Sequence, residues 1–221
     1  MMRILVVTPV WHRYRQSLES ILALQSEGPL DFLLLANDDP YADGSVMGAY
    51  RNITRKLNHA REVCLRGDYA AMLIVEDDML APPDALLKLM QVEAEVVYGL
   101  CCFRHGTPGW SARTRLTATE VAGLADDADR ARAAWGQVVD VAGVGTYCTL
   151  LRREVVEALP FRLVEEQPVC CDWWLSVDCQ QAGFGQKAHL GVVCGHITPW
   201  PTPRVIWPDA NEERLWRVTR L

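Results

Sequence analysis

The sequence lacks the long apolar run that a membrane-spanning helix requires, and its N-terminus does not resemble a secretory signal peptide. It also lacks an excess of positive charge, because 22 Lys and Arg residues stand against 28 Asp and Glu residues, for a net charge of −6. This balance gives no general attraction to nucleic acid or to an anionic membrane. We therefore expect a cytoplasmic protein with no integral membrane segment.

No internal repeat, linker or low-complexity segment divides the sequence. With 221 residues, of which 50% are hydrophobic, the chain is long enough to bury one sizeable core. We therefore expect a single domain over residues 1–221.

The eight cysteines are not expected to form a disulfide framework, because no secretory signal is present and most of them lie inside apolar runs. Buried, reduced thiols are the predicted state. The alternative is a zinc site formed by Cys170, Cys171, Cys194 and His196. Their spacing matches no strong zinc pattern.

Strand and helix patterns alternate along the chain. Strands are predicted over residues 3–7, 31–36, 72–75 and 96–103, and helices over residues 14–24, 50–66 and 83–91. After a less regular stretch at 104–136, strands are predicted at 138–141 and 187–193 and helices at 153–159 and 172–182. This order predicts a largely parallel sheet with right-handed crossovers. The tail, with four prolines and three tryptophans, is expected to pack across the sheet.

Three consecutive carboxylates follow the predicted third strand. The apolar run at 72–75 leads directly into Glu76, Asp77 and Asp78, and the next prolines begin a helix. Ligands bind at the C-terminal ends of strands in such sheets, and hard divalent cations prefer oxygen ligands. The position therefore predicts a metal-assisted site, with a solvated loop as the alternative.

Other residues have more than one interpretation from the sequence alone. His196 ends a late strand and is either structural or a metal ligand. Asp172 begins a helix and is either a cap or a general base. Arg113 and Arg115 lie in the irregular stretch, where they would bind a diphosphate, contact an acceptor, or belong to a surface loop. The aromatic pair at 173–174 offers a sugar-stacking face or packs in the core.

The motifs, taken in order, resemble those of the GT-A-fold glycosyltransferases, in particular the family-2-like group. The resemblance covers about residues 3–197. Its elements are the first strand with Thr8 and Pro9, the acids Asp38 and Asp39, Arg51 with Asn52, the segment VEDDMLAPPDAL as the DxD motif, VAGVGTYCTLLRREVVEAL, CCDWWLSVDCQQAGFG, and His196. Three departures stand out. Glu76 replaces the first Asp of the DxD motif, Cys171 replaces a usual Glu, and the Gln-x-x-Arg-Trp motif of processive polymerases is absent.

The resemblance implies a GT-A-like, Rossmann-type α/β fold, with a mostly parallel central sheet flanked by helices and a smaller acceptor-side subregion. The nucleotide-sugar half would span about residues 1–103, the acceptor-side half 104–197, and the tail 198–221. The implied activity is a metal-dependent transfer from a nucleoside-diphosphate sugar to an acceptor hydroxyl, with inversion expected.

The resemblance also assigns roles to individual residues. Mn²⁺ or Mg²⁺ would be held by Asp78 and His196, and Asp172 would be the catalytic base. The donor would be bound by Thr8, Pro9, Asp38, Arg51, Glu76 and Asp77.

Two other classes of function remain open at this point. One is a nucleotidyltransferase or two-metal phosphohydrolase, although the segment at 12–15 lacks the glycine of a phosphate-binding loop. The other is a non-catalytic protein that binds a sugar nucleotide, which the replacement by Cys171 favours. The acceptor would be a glycan, a small molecule, a protein or a modified nucleic-acid base.

Overall fold

The protein is built around a seven-stranded sheet, in a computed structural model that describes residues 2–11, 14–36, 39–41, 43–103, 108–117, 119–167, 169–198 and 202–221. The strands are β1 (Ile4–Pro9), β2 (Leu30–Leu35), β3 (Ala71–Val75), β4 (Met79–Leu80), β5 (Val96–Leu100), β6 (Arg113–Leu116), β7 (Val121–Gly123), β8 (Val138–Asp140), β9 (Cys148–Arg152), β10 (Gln186–Val193), β11 (Gly195–Thr198), β12 (Arg204–Pro208) and β13 (Trp216–Arg220). The helices are α1 (Arg15–Leu22), α2 (Val46–Arg66), α3 (Ala85–Met90), α4 (Ala128–Ala134), α5 (Arg153–Ala158) and α6 (Cys171–Ala182), with a short 3-10 helix at Leu124–Asp126.

The order of the central sheet is β2-β1-β3-β9-β5-β10-β8. Strands β2, β1, β3, β5 and β10 run in one direction, whereas β9 and β8 run the opposite way. The prediction of a mostly parallel sheet is therefore confirmed. The sequence did not place β9 between β3 and β5. This strand enters from the C-terminal edge of the sheet, beside the acidic motif, and must therefore run antiparallel to its neighbours.

Both faces of the sheet are covered by helices. Successive side chains of β3 point to opposite faces, so Met72 and Ile74 join one apolar cluster while Leu73 and Val75 join the other. The first cluster also contains residues of α2, α5 and α6, and the second contains residues of α1 and α3. Burial on both sides explains the continuous apolar sequence of the strand.

Helix α2 begins four residues earlier than predicted. The Ser45 side chain accepts a hydrogen bond from the Gly48 N–H at 2.8 Å, so the helix has its N-cap there. Helix α6 ends as predicted at Gly183, whose φ of 79° is the left-handed conformation that glycine adopts without strain.

A second sheet with the order β13-β12-β11-β4 joins the tail to the acidic motif. Strand β4 directly follows the three acids, and in its pairing with β11 His196 lies opposite Met79. The tail residues Ile206 and Leu215 belong to the main apolar cluster, as expected for a tail that packs on the body of the protein. The sequence did not predict that the tail continues a sheet.

The eight cysteines are free thiols, and all but Cys170 are buried. Among the helices of the described residues, none has the length and apolar character needed to cross a membrane.

Candidate functional site

The tip of β3 and the beginning of β11 bring Asp78 and His196 together. The Nε2 atom of His196 lies 3.5 Å from Oδ2 of Asp78, and their side chains are only 3% and 5% exposed. The cause is the β11–β4 pairing, in which the Ile197 N–H also donates to the Asp78 carbonyl oxygen at 2.8 Å. Asp78 and His196 are therefore neighbours in the protein interior, although they are far apart in the sequence.

The hydrogen bonds of His196 determine which ring nitrogen carries the proton. Its Nδ1 lies 2.7 Å from the carbonyl oxygen of Cys102, which can only accept, so Nδ1 is the donor. In the neutral ring Nε2 then carries a lone pair, and this lone pair lies beside a carboxylate oxygen of Asp78. Two acceptors at this distance repel each other unless a cation or a proton lies near both. The pair therefore fits a divalent cation, with a backbone carbonyl orienting the imidazole.

Across the described ranges, no group of three or more His, Cys, Asp or Glu side chains is arranged to hold a metal ion. The four residues considered as a zinc site, Cys170, Cys171, Cys194 and His196, are therefore also not arranged to hold a metal ion. From the part of the chain that the structure describes, a cation beside His196 would have Asp78 and His196 as its side-chain ligands.

The other two acids of the motif are anchored to different elements. Oδ2 of Asp77 accepts a hydrogen bond from the Trp11 N–H at 2.7 Å, which ties the end of β1 to the motif. Oε1 of Glu76 accepts from the Thr146 hydroxyl at 2.7 Å, which ties the motif to the segment before β9. Asp77 and Asp78 are 2% and 3% exposed, so the alternative of a solvated loop is wrong.

Asp172 lies in the first turn of α6. Its Oδ1 accepts a hydrogen bond from the Trp173 N–H at 2.8 Å. Burial raises the pKa of this carboxyl group, and the hydrogen bond from Trp173 and the charge of Arg113 oppose that rise. Gly145 adopts a φ of 130° close by, where an added Cβ would lie 3.1 Å from Oδ2 of Asp172. The carboxylate therefore both receives a helix N–H and faces the glycine-rich turn.

A small cavity of about 60 Å³ opens beside Asp172, with Phe103, Arg113, Gly145 and Trp173 among its lining residues. The Arg113 guanidinium stacks 4.2 Å from the centre of the Phe103 ring.

Arg113 and Arg115 have different environments, and so do Trp173 and Trp174. Arg115 lies at the surface and is paired with Glu120 at 3.5 Å. Trp174 is 5% exposed and packs under Arg162, whereas Trp173 borders the cavity.

Tyr147 lies near both the Asp78–His196 pair and the cavity, and it was not predicted as a site residue. Its ring lies 5.4 Å from the His196 ring and 6.2 Å from the Phe103 ring. Burial, the largest cause, raises the pKa of its hydroxyl, and Asp172, Glu76 and Asp78 raise it further. Its position at the end of the GVGTY turn, just before a buried strand, was the available signal.

Besides Glu76 and Asp77 after β3, the predicted donor-binding residues that the structure describes lie on β1 and α2. Thr8 and Pro9 are buried in β1, and the Thr8 hydroxyl has no hydrogen-bond partner among the residues described. Arg51 lies on α2, where its guanidinium is paired with Glu165 at 2.7 Å. Asp38 lies outside the described residues.

Two further residues at the end of β1 were missed from the sequence. Trp11 is 53% exposed although its N–H is held by Asp77. Lys56 is 6% exposed, pairs with Asp39 at 2.8 Å, and has its Nζ 5.9 Å from the centre of the Trp11 ring. An exposed aromatic residue after a buried strand was the signal that would have identified Trp11.

No protein-family model and no curated protein sequence matches the chain. Solved structures do match in three dimensions. A197 from STIV has a TM-score of 0.57 at 15% identity, covering 89% of this chain and 86% of that chain. GalNAc-T7 with UDP, GalNAc and Mn²⁺ has a TM-score of 0.55 at 10% identity, covering 88% of this chain. S. aureus TarS 1-349 has a TM-score of 0.49 at 12% identity, covering 85% of this chain and 58% of that chain.

The chain spans 43% of the GalNAc-T7 chain, so the likeness concerns part of that protein. At these identities the likeness shows the fold. The protein has the mixed α/β architecture of GT-A glycosyltransferases, which is the general glycosyltransferase fold that the motifs predicted.

Proposed function

We propose that the protein is a metal-dependent glycosyltransferase that moves a sugar from a nucleoside-diphosphate sugar to an acceptor hydroxyl. The observation that carries this proposal is the buried pair of Asp78 and His196, whose facing acceptor atoms lie 3.5 Å apart at the C-terminal end of a central strand. The GT-A architecture supports it independently.

On the donor side, Asp78 and His196 would hold Mn²⁺ or Mg²⁺. When bound, the cation supplies positive charge that stabilises a departing diphosphate. The GalNAc-T7 structure in the comparison contains UDP and Mn²⁺, which is consistent with this arrangement. Glu76 and Asp77 would fix the motif by their bonds to Thr146 and to Trp11.

The nucleotide would lie over the end of β1. There Trp11 offers an exposed ring for stacking, and Asp39 is held in place by Lys56. Thr8, Pro9, Asp38 and Arg51 remain the further candidates for this side, as the sequence predicted.

On the acceptor side, Asp172 would act as the base. A carboxylate whose pKa is raised by burial accepts a proton more readily at neutral pH than an exposed one. It would take the proton of the acceptor hydroxyl while the hydroxyl oxygen bonds to the sugar. The bond between the sugar and the diphosphate breaks on the opposite face, so the product has inverted configuration.

A thermal-shift panel of UDP-, GDP- and CDP-sugars, with and without Mn²⁺, tests the donor assignment. At least one donor is expected to raise the Tm when Mn²⁺ is present, because a ligand that binds the folded state stabilises it. The Asp78→Asn variant should lose this shift. The matched control is Asp84→Asn, since Asp84 is a 44% exposed carboxylate of the same segment, paired with Lys88. Equal shifts with and without Mn²⁺, or an unchanged shift in Asp78→Asn, would contradict the proposal.

A further inference from the structure

Arg113 carries a half-buried guanidinium group whose acidic neighbours, Asp126 and Asp172, form no ion pair with it. Its side chain forms no hydrogen bond or ion pair within the described residues, and burial lowers its pKa. Other arginines of the molecule are paired, such as Arg115 with Glu120 and Arg162 with Asp178. Withdrawing a cation from water without a partner costs free energy, so an unpaired guanidinium at a cavity wall is a candidate binding group.

The side chain is also held in place before any ligand arrives. The guanidinium stacks on Phe103 at 4.2 Å, an arrangement that leaves its edge available for hydrogen bonds. The backbone of Arg113 is fixed on both sides, because its N–H donates to the Gly143 carbonyl at 2.9 Å and its carbonyl accepts from the Ala142 N–H at 2.7 Å. Ligand binding at this guanidinium therefore costs little side-chain conformational entropy.

The cavity at Arg113 is shared with Asp172 and has room for about two water molecules. No ion pair joins the two side chains, so each presents its charge to the same small space. Both side chains therefore line one small space that can admit polar groups of an acceptor.

The cavity belongs to the acceptor side of the molecule. Tyr147 lies between it and His196, with ring distances of 5.4 Å to His196 and 6.2 Å to Phe103. The acidic neighbours that influence Arg113 are Asp126 and Asp172, whereas Tyr147 is influenced by Glu76 and Asp78 as well. The guanidinium of Arg113 contacts Phe103 and borders the cavity that Asp172 also lines.

We infer that the acceptor carries an anionic oxygen group, a carboxylate or a phosphate, which Arg113 binds while a nearby hydroxyl of the acceptor lies at Asp172. This inference rests on the proposed function. A guanidinium forms paired, charge-assisted hydrogen bonds with either oxyanion, and it offsets the repulsion that Asp172 would exert on such a group. Arg113 would thus determine specificity for the acceptor.

The test is an NMR or calorimetric titration of the full chain, without nucleotide, using three matched sugars. Glucose is the neutral probe, and glucuronate and glucose 6-phosphate add a carboxylate or a phosphate to the same ring. We expect saturable millimolar binding of at least one anionic sugar, with glucose weaker by at least about tenfold. The preferred anion identifies the group.

Variants connect this preference to one side chain. Arg113→Gln should abolish the anion preference, and Arg113→Lys should retain part of it, because an ammonium keeps the charge but not the paired hydrogen bonds. The matched control is Arg115→Gln, two residues along the same strand, whose side chain is 67% exposed. It should bind the anion as the wild type does. If Arg113→Gln fails to fold, the comparison of Arg113→Lys with the wild type still tests the inference.

Equal binding of glucose and the anionic sugars, no saturable binding of either anion, or an anion preference retained by Arg113→Gln would overturn the inference. Failure of the proposed function would be seen separately, as the absence of any Mn²⁺-dependent donor shift. Arg113→Gln is expected to keep that shift, because Asp78 and His196 are not among the residues that line the cavity at Arg113.

Discussion

At the scale of single residues, local partners decide what each acid of the candidate site can do. Asp77 is occupied by the Trp11 N–H, Glu76 by the Thr146 hydroxyl, and Asp78 faces His196. Asp172 lies apart, where burial raises its pKa. The four carboxylates therefore have four different environments.

The raised pKa of Asp172 gives a pH prediction with a definite sign. The folded state holds the proton more tightly than the unfolded state, so the contribution of Asp172 to stability decreases as pH rises from its ordinary pKa to the raised value. Asp172→Asn removes this dependence while keeping an oxygen for the Trp173 N–H. We expect the Tm of the variant, relative to wild type, to increase from acidic to neutral pH. Melting curves across that range measure it, and a difference that falls with pH would contradict the assignment.

The same substitution should separate activity from stability. Loss of a general base lowers the transfer rate roughly 100- to 10,000-fold, while the donor-induced thermal shift should remain. In the wild type, kcat/KM should fall as pH decreases through the raised pKa, because the protonated carboxyl group cannot accept a proton. Full transfer activity in Asp172→Asn would exclude Asp172 as the base.

At the scale of elements, the site depends on strand pairings between distant parts of the sequence. The β11–β4 pairing places His196 beside the acidic motif, and β12 continues the same sheet with Ile206 opposite His196. The tail therefore pairs with the strand that carries His196 and also packs against the apolar core.

Substitutions in the tail test this support. Ile206→Ala removes a side chain that is 5% exposed and should lower the free energy of unfolding by about 2–4 kcal/mol. Val218 lies opposite it on β13 but is 42% exposed, so Val218→Ala should change the free energy by less than about 0.5 kcal/mol. Urea denaturation measures both, and equal effects would show that the tail does not support the core.

Local patterns predicted most of the elements, and long-range pairing explains what they missed. The apolar run of β3 and the glycine after α6 have local causes, so their sequence signals were sufficient. Strand β4 has only two residues and forms because β11 pairs with it, and no local signal identifies so short a strand. The antiparallel direction of β9 depends on a path through residues 101–147 that the sequence did not define.

The candidate site shows the same division. The acids at 76–78, Asp172 and His196 were identified as candidates by their positions at element ends, and the resemblance then assigned their roles. The position of Tyr147 beside both His196 and Phe103 required coordinates, because these residues come from separate segments of the sequence. The unpaired state of Arg113, in contrast to Arg115, could not be predicted, since both arginines lie in one short strand.

At the scale of the whole molecule, the proposed donor side and the proposed acceptor side lie along the same edge of the central sheet. The Asp78–His196 pair and Trp11 lie at the ends of β3 and β1, and the cavity with Asp172 lies beyond Tyr147. The division into a nucleotide-sugar half over residues 1–103 and an acceptor-side half over 104–197 stays a prediction. The GT-A architecture is the frame in which both sides are arranged.

Electron spin-echo spectroscopy of bound Mn²⁺ tests the proposed metal site at Asp78 and His196, because it detects nitrogen nuclei in the first coordination shell of the ion. We expect ¹⁴N modulation from one imidazole in the wild type, loss of that modulation in His196→Gln, and loss of Mn²⁺ binding in Asp78→Asn. His189→Gln, which changes a histidine of β10, should leave the signal unchanged. Mn²⁺ that binds without nitrogen coupling, or with coupling that persists in His196→Gln, would contradict the proposed site.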